Sequence, residues 1–173
     1  VLRYYTAVIF LSIVAMVGVQ LCVYQSATLS RERKRLFHVL FTAIAVAAFC
    51  EWFGSYLQGS GPQTRVLHIV VKAVELSVAP SISVWVAWII ERQKERAVCF
   101  CLAVHTVLEM ASGVWGFIYT VDGYSNYAHA RWYGIYIAAY LVSMVYCCAI
   151  MLRNVKKYQY HGGSYFLVIV GLM

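Results

Sequence analysis

Five apolar runs dominate the chain, at residues 4–24, 36–57, 66–90, 97–119 and 132–152. Each is about as long as the roughly 20 residues a helix needs to cross a hydrocarbon core about 30 Å thick. Lys and Arg fall almost wholly in the short stretches between them. One water-soluble core cannot absorb five such runs in 173 residues, of which 62% are hydrophobic and 12% charged. Soluble domains carry about 45–50% apolar and about 25% charged residues. A water-soluble enzyme, a disordered tail and a nucleic-acid-binding domain are thereby excluded. The expected fold class is all-α: a polytopic transmembrane helix bundle forming one domain over residues 1–173, with the lipid bilayer as its first partner and no nucleic acid. A sixth run begins near Ser164, and the ten residues to Met173 would rise only about 15 Å as helix. The sequence is therefore expected to end within a truncated sixth span and to be a piece of something longer.

The net charge of +7 reads as topology, because basic residues favour the cytoplasmic side. Arg31, Arg33, Lys34, Arg35, Arg92, Lys94, Arg96, Arg153, Lys156 and Lys157 occupy the odd-numbered loops, against Arg3, Arg65 and Arg131 on the other side. The N-terminus is thus expected outside, and a seventh span would be the simplest way to reach a cytoplasmic output domain. The first run is too long for a signal-peptide core and is followed, not preceded, by its basic cluster, so it reads as a retained helix. Aromatic residues at both ends of the spans fit interfacial belts. The six cysteines lie inside apolar runs, as small buried hydrophobes rather than a disulfide framework.

Ionisable residues within spans are costly and by default mark a site. Glu51 lies on the second run, Lys72 and Glu75 on the third, and Glu109 on the fourth. Counting about 1.5 Å per residue from the ends of alternating helices places all four in the outer half of the core. His68, Lys72 and Glu75 share one helical face at i, i+4 and i+7, and His105 with Glu109 forms an i, i+4 pair. Ser112, Gly113 and Gly116 continue the His105–Glu109 face as small residues that permit close approach. Tyr133, Tyr136 and Tyr140 form an aromatic stripe on the fifth run. Pro80 removes an N–H inside the third run and frees the Leu76 carbonyl, either as a tolerated bend or as a hinge. The loop Thr120–Arg131 carries an Asp122-Gly123 turn signal, with Tyr124, Tyr127 and His129 placed to cover a site.

Three carboxylates against one lysine leave an acidic surplus. Either some carboxyls hold protons, or a histidine or a cationic ligand balances them. A purely structural polar network is the plain alternative. The surplus favours a pocket for a small polar or cationic ligand, with Glu51, Glu75 and Glu109 as acceptors and Lys72 as counter-ion. His68 and His105 stand beside them, and Trp52, Trp115, Tyr133 and Tyr136 serve as walls. His105-x-x-x-Glu109 has metal-ligand spacing but lacks an HExxH pattern, so no metal and no cofactor are expected. No Ser or Cys nucleophile sits beside a base at that depth, so no catalytic residue is assigned.

Several stretches resemble one bacterial family: Arg33-Lys34-Arg35-Leu36-Phe37 through Cys50-Glu51-Trp52; Leu67-His68-Ile69 through Lys72-Ala73-Val74-Glu75, with Ala79-Pro80; Glu109 through Ser112-Gly113; and Tyr119-Thr120-Val121-Asp122 to Tyr133-Gly134-Ile135-Tyr136. The chain resembles the N-terminal multi-span sensory region found ahead of GGDEF diguanylate cyclase domains, mostly in Gram-positive bacteria. It is also similar to the seven-helix N-terminal regions of some histidine kinases. The resemblance implies a receptor in the plasma membrane of a bacterium, signalling to a cytoplasmic output domain that makes cyclic di-GMP or phosphorylates a partner. A second copy of the chain is a candidate partner. The GGDEF signature is absent, so any enzymatic activity would belong to the rest of a full-length protein. The rival reading is an ion- or proton-coupled small-molecule transporter, in which the same carboxylates titrate during a cycle.

Overall fold

The computed structural model describes residues 2–91 and 95–158, with side chains from 5 to 91 and from 95 to 154. Five long helices make up nearly all of it: α1 (Leu2–Gln25), α2 (Arg31–Leu57), α3 (Arg65–Glu91), α4 (Arg96–Trp115) and α5 (Gly134–Tyr158). All five are long and apolar enough to cross a membrane. The expected sixth span lies outside the described residues.

The helices form because their interiors are rich in Leu, Ala, Val and Ile with no competing turn chemistry. Their ends are set by identifiable caps. Ser30 precedes α2 and its hydroxyl accepts from the Arg33 N–H, as an N-cap should. The fourth span was expected to reach residue 119, yet α4 stops at Trp115. Gly116 takes the left-handed conformation (φ 68°), and its N–H bonds the Ser112 carbonyl at 2.7 Å; such a cap ends a helix at little cost only when the residue is glycine. Ser112 Oγ then accepts the N–H groups of Ile118 (2.9 Å) and Tyr119 (3.1 Å). The chain beyond is thereby tied into β1 (Tyr119–Val121), which pairs antiparallel with β2 (Tyr127–His129) in the register Tyr119↔His129. A small hairpin thus interrupts the expected all-helical plan.

At the hairpin tip, Asp122 Oδ1 accepts the N–H groups of Tyr124 (2.8 Å) and Asn126 (2.9 Å), and Oδ2 accepts the Asn126 amide (3.0 Å). These donors, the Asn126 side chain first, hold the Asp122 carboxyl below the usual carboxylate range. The hairpin docks on the α2–α3 connection, where Gly59 N–H bonds the Ser125 carbonyl, Arg65 Nε bonds that of Val121, and Tyr127 N–H bonds Gln58 Oε1. Its base is fully buried at Ile118 and Tyr119 and packs with Ala73, Leu76 and Val121 into the cluster that supports the polar layer.

α3 is the axle of the bundle. It packs against α2, α4 and α5, whereas α4 and α5 scarcely touch each other and α1 packs chiefly on α2. α1 consequently leaves Phe10 and Leu11 about two-thirds exposed (68% and 69%), a surface that only lipid or another apolar partner covers at low cost. At the opposite end from the hairpin, Arg153 of α5 lies 3.3 Å from Glu91 of α3, and Lys34 of α2 donates to the Tyr24 carbonyl of α1 at 2.7 Å. Basic side chains therefore collect at that end.

Candidate functional site

The polar side chains of α3 lie along its most buried face. His68 is fully buried, and its Nδ1 donates to the Ser125 carbonyl (2.9 Å) and lies 3.1 Å from Ser125 Oγ. This bond clamps the hairpin onto α3, which gives His68 a local structural task. One turn below, Lys72 Nζ pairs with Glu75 Oε2 at 2.8 Å and sits 4.9 Å from the centre of the Tyr127 ring. The lysine reaches this position by crossing Gly54 of α2, where an added Cβ would stand 2.8 Å from Lys72 Cε. Its charge is thus balanced by a carboxylate, an aromatic face and a backbone that leaves room for it.

A second polar group lies on the other flank of α3. Pro80 is buried within α3, and the Leu76 carbonyl it deprives of a helical partner accepts instead from His105 Nε2 of α4, at 3.2 Å. Because a carbonyl only accepts, the proton resides on Nε2, which leaves Nδ1 buried with no partner. His105 Nε2 is also 3.7 Å from Glu109 Oε1, beyond a hydrogen bond. Glu109 has no exposed surface, and neither of its carboxylate oxygens has a hydrogen-bond partner among the described residues. Beside it, Gly113 allows α3 and α4 into close contact: a Cβ there would lie 2.7 Å from Ile69 Cγ2 and 3.0 Å from the Tyr119 hydroxyl, which itself donates to the Ile69 carbonyl.

An aromatic chain joins the two groups. Tyr127 and Tyr133 lie close enough for their hydroxyls to act on each other, the Tyr133 and Tyr136 rings are 5.4 Å apart, and Tyr136 stacks on His105 at 6.3 Å. His129 stacks face to face on Tyr133 at 3.7 Å. Burial in the hairpin and its flank pushes the Tyr127 and Tyr133 hydroxyls up from the ordinary phenol range, so both stay neutral donors. Ring and charge contacts thus lead from Lys72 through three tyrosines and His105 to Glu109.

Two of the expected site residues stand apart and a third lies at the edge of the group. Glu51 is exposed on α2 beside Tyr5 of α1, within electrostatic reach of Glu75. Trp52 donates through Nε1 to Thr6 of α1 at 3.0 Å, joining those helices rather than walling a chamber. Trp115, 76% exposed, ends α4 facing outward. Helical counting placed Glu51 at a suitable depth, but depth does not fix the direction in which a side chain points. His68, Lys72, Glu75, His105, Glu109, Tyr133 and Tyr136 do come together. Tyr127, expected from the loop to cover the site, lies over Lys72, and Ser125 and Tyr119 complete the group; loop residues carry no periodicity to mark these two in advance, whereas Gly54, three residues after Glu51 in an apolar span, was a readable sign of close approach.

Below the polar layer, the gap between α4 and α5 holds a cavity of about 210 Å³ over α3. Its walls are mainly apolar, among them Val84, Leu102 and Val142, and His105 stands among its lining residues. Among the described residues no three His, Cys, Asp or Glu side chains gather as a metal site; His68 is engaged with Ser125 and Glu75 with Lys72. No family model, no curated protein and no solved structure matches the chain.

Proposed function

We propose that this domain is a membrane receptor module whose sensing centre is Glu109 with His105, and that it takes a small polar or cationic ligand with an apolar body. The observation that carries the reading is the carboxyl of Glu109, sealed from solvent and without a hydrogen-bond partner among the described residues, 3.7 Å from the His105 ring that lines a mainly apolar cleft. A buried charge without donors is costly, so the group is stable either as the neutral acid or opposite a cation. The cleft volume is below the roughly 300–1,000 Å³ of drug-sized sites, which limits the ligand to a few heavy atoms. Its head would meet Glu109 and the bare Nδ1 of His105, and its body would lie between α4 and α5.

Those two helices share α3 but not each other, so a ligand wedged between them biases their spacing. His105 holds the carbonyl freed by Pro80, and the same bias reaches the middle of the axle helix. Two packings of α3 against its neighbours, populated according to ligand, are a sufficient switch. The orientation with the basic end in the cytoplasm, and an output domain further along the chain of the diguanylate cyclase or histidine kinase kind, follow from the loop charges and the sequence resemblance. A bacterial plasma membrane is the setting this implies.

Butylammonium is a suitable probe: purified protein in neutral-lipid nanodiscs should gain thermal stability with it, and Glu109→Gln should abolish the gain while melting within a few degrees of wild type. Equal stabilisation of both proteins would refute the site. The transporter reading predicts uptake into proteoliposomes under an imposed pH gradient, whereas a receptor moves nothing.

A further inference from the structure

At the end of the bundle remote from the hairpin, α1 and α2 diverge around a cavity of about 690 Å³ lined by Gln20, Tyr24, Arg31, Lys34, Arg35 and His38. Its roof and floor are fixed by contacts between the two helices. Lys34 Nζ donates to the Tyr24 carbonyl at 2.7 Å and lies 5.8 Å from the centre of the Tyr24 ring. Gln20 and His38 meet side chain to side chain across the other wall. Arg31 and Arg35 stand one turn apart on one face of α2, where like charges repel. Neither has an acidic partner among the described residues, and Glu32, in the same turn, does not line the cavity.

Two unpaired guanidinium groups and an ammonium around one concavity make a strongly positive enclosure that a bound anion would relieve. Its depth narrows the choice. The cavity lies where the apolar runs of α1 and α2 give way to polar sequence, beside the exposed Leu21. That is the level of headgroups, and basic pockets between spans hold phosphorylated headgroups there. A planar guanidinium matches two phosphate oxygens at once, and Arg31 and Arg35 can approach one phosphate from adjacent turns. We infer that this cavity is a binding site for a phosphate monoester or diester at the membrane boundary, gripped by Arg31 and Arg35 with Lys34 as a third charge. The site is independent of the Glu109 centre and does not rest on the receptor reading.

The test is native mass spectrometry of the full chain titrated with phosphatidic acid or phosphatidylcholine, alongside thermal melts with inorganic phosphate. Wild type should hold one phosphatidic acid at least tenfold more tightly than phosphatidylcholine, and Arg31→Gln/Arg35→Gln should lose at least tenfold of that affinity. Gln20→Trp, which narrows the cavity at one wall without changing any charge, should weaken binding, and Glu32→Gln should not. If phosphatidic acid is not preferred but inorganic phosphate raises the melting temperature of wild type and not of the double variant, the site is confirmed with a soluble phosphate as occupant. Absence of both effects, or equal effects in wild type, Arg31→Gln/Arg35→Gln and Gln20→Trp, overturns the inference.

Discussion

The bond between His105 and the Leu76 carbonyl can be tested through the proline that makes it necessary. Replacing His105 by Phe keeps a ring against Tyr136 but removes the 3.2 Å hydrogen bond, leaving a buried carbonyl with no helical donor. Leaving such an acceptor orphaned costs about 1–3 kcal/mol in a protein interior, and side-chain hydrogen bonds measured within a membrane protein average about 0.6 and reach about 1.7 kcal/mol. In a Pro80→Ala background the alanine N–H can bond the same carbonyl, because it lies four residues on. The loss of His105 should then cost about 1 kcal/mol less than it does with Pro80 in place. Loss of the Glu109 contact, and any change in the Tyr136 stack, occur alike in both backgrounds and cancel in the cycle. Reversible unfolding in mixed detergent micelles, followed by circular dichroism for the four proteins, gives the coupling directly. If His105→Phe costs the same in both backgrounds within about 0.3 kcal/mol, the proline and the histidine are not partners.

Gly113→Ala should destabilise by about 1–3 kcal/mol, because its methyl group meets Ile69 and the Tyr119 hydroxyl inside contact distance; the same unfolding assay reads it. Lys72→Met should cost about 3–5 kcal/mol by stranding Glu75, an upper range since the pair keeps some solvent, while Lys72→Met with Glu75→Leu should recover most of the loss. Ser112→Ala deprives two buried N–H groups of their acceptor and should lower the melting temperature measurably, with amide exchange rising at Ile118 and Tyr119. The Asp122 carboxyl is held below its ordinary value when folded, so its contribution is present above the unfolded value of about 4 and disappears as pH falls through the lower folded one. Exchange protection of the Tyr124 and Asn126 amides should accordingly be flat at neutral pH and drop only in strong acid; loss of protection near neutrality would contradict the turn geometry.

Hydrophobic run length alone located the five long helices within a few residues at most ends, because lipid imposes one length scale on every span. It failed at α4, where the stop comes from Gly116 and Ser112 rather than from any fall in hydropathy. The i, i+4 and i+7 spacing of His68, Lys72 and Glu75 marked a real shared face, and Pro80 correctly announced a free carbonyl at Leu76. That His105 would take it depends on how α3 and α4 rotate about each other, which no single helix encodes. Glu51 shows the same gap from the other side: its depth fitted the layer, while its azimuth turned it toward Tyr5. The hairpin was signalled only by Asp122-Gly123, since three-residue strands are too short for alternation to register.

The partner of His68 is Ser125, 57 positions downstream. During synthesis, α3 must therefore enter the bilayer with the His68 imidazole unsatisfied and the Lys72–Glu75 pair not yet covered by Tyr127, before the hairpin exists. At about 5–20 residues per second that wait lasts about 3–11 s, and a charged side chain near mid-bilayer costs about 2.5–3.5 kcal/mol on insertion scales. The nascent helix can shelter only against α2, through the Lys72–Gly54 contact, so the order in which segments leave the ribosome makes that glycine a gatekeeper of biogenesis as well as a spacer in the finished bundle.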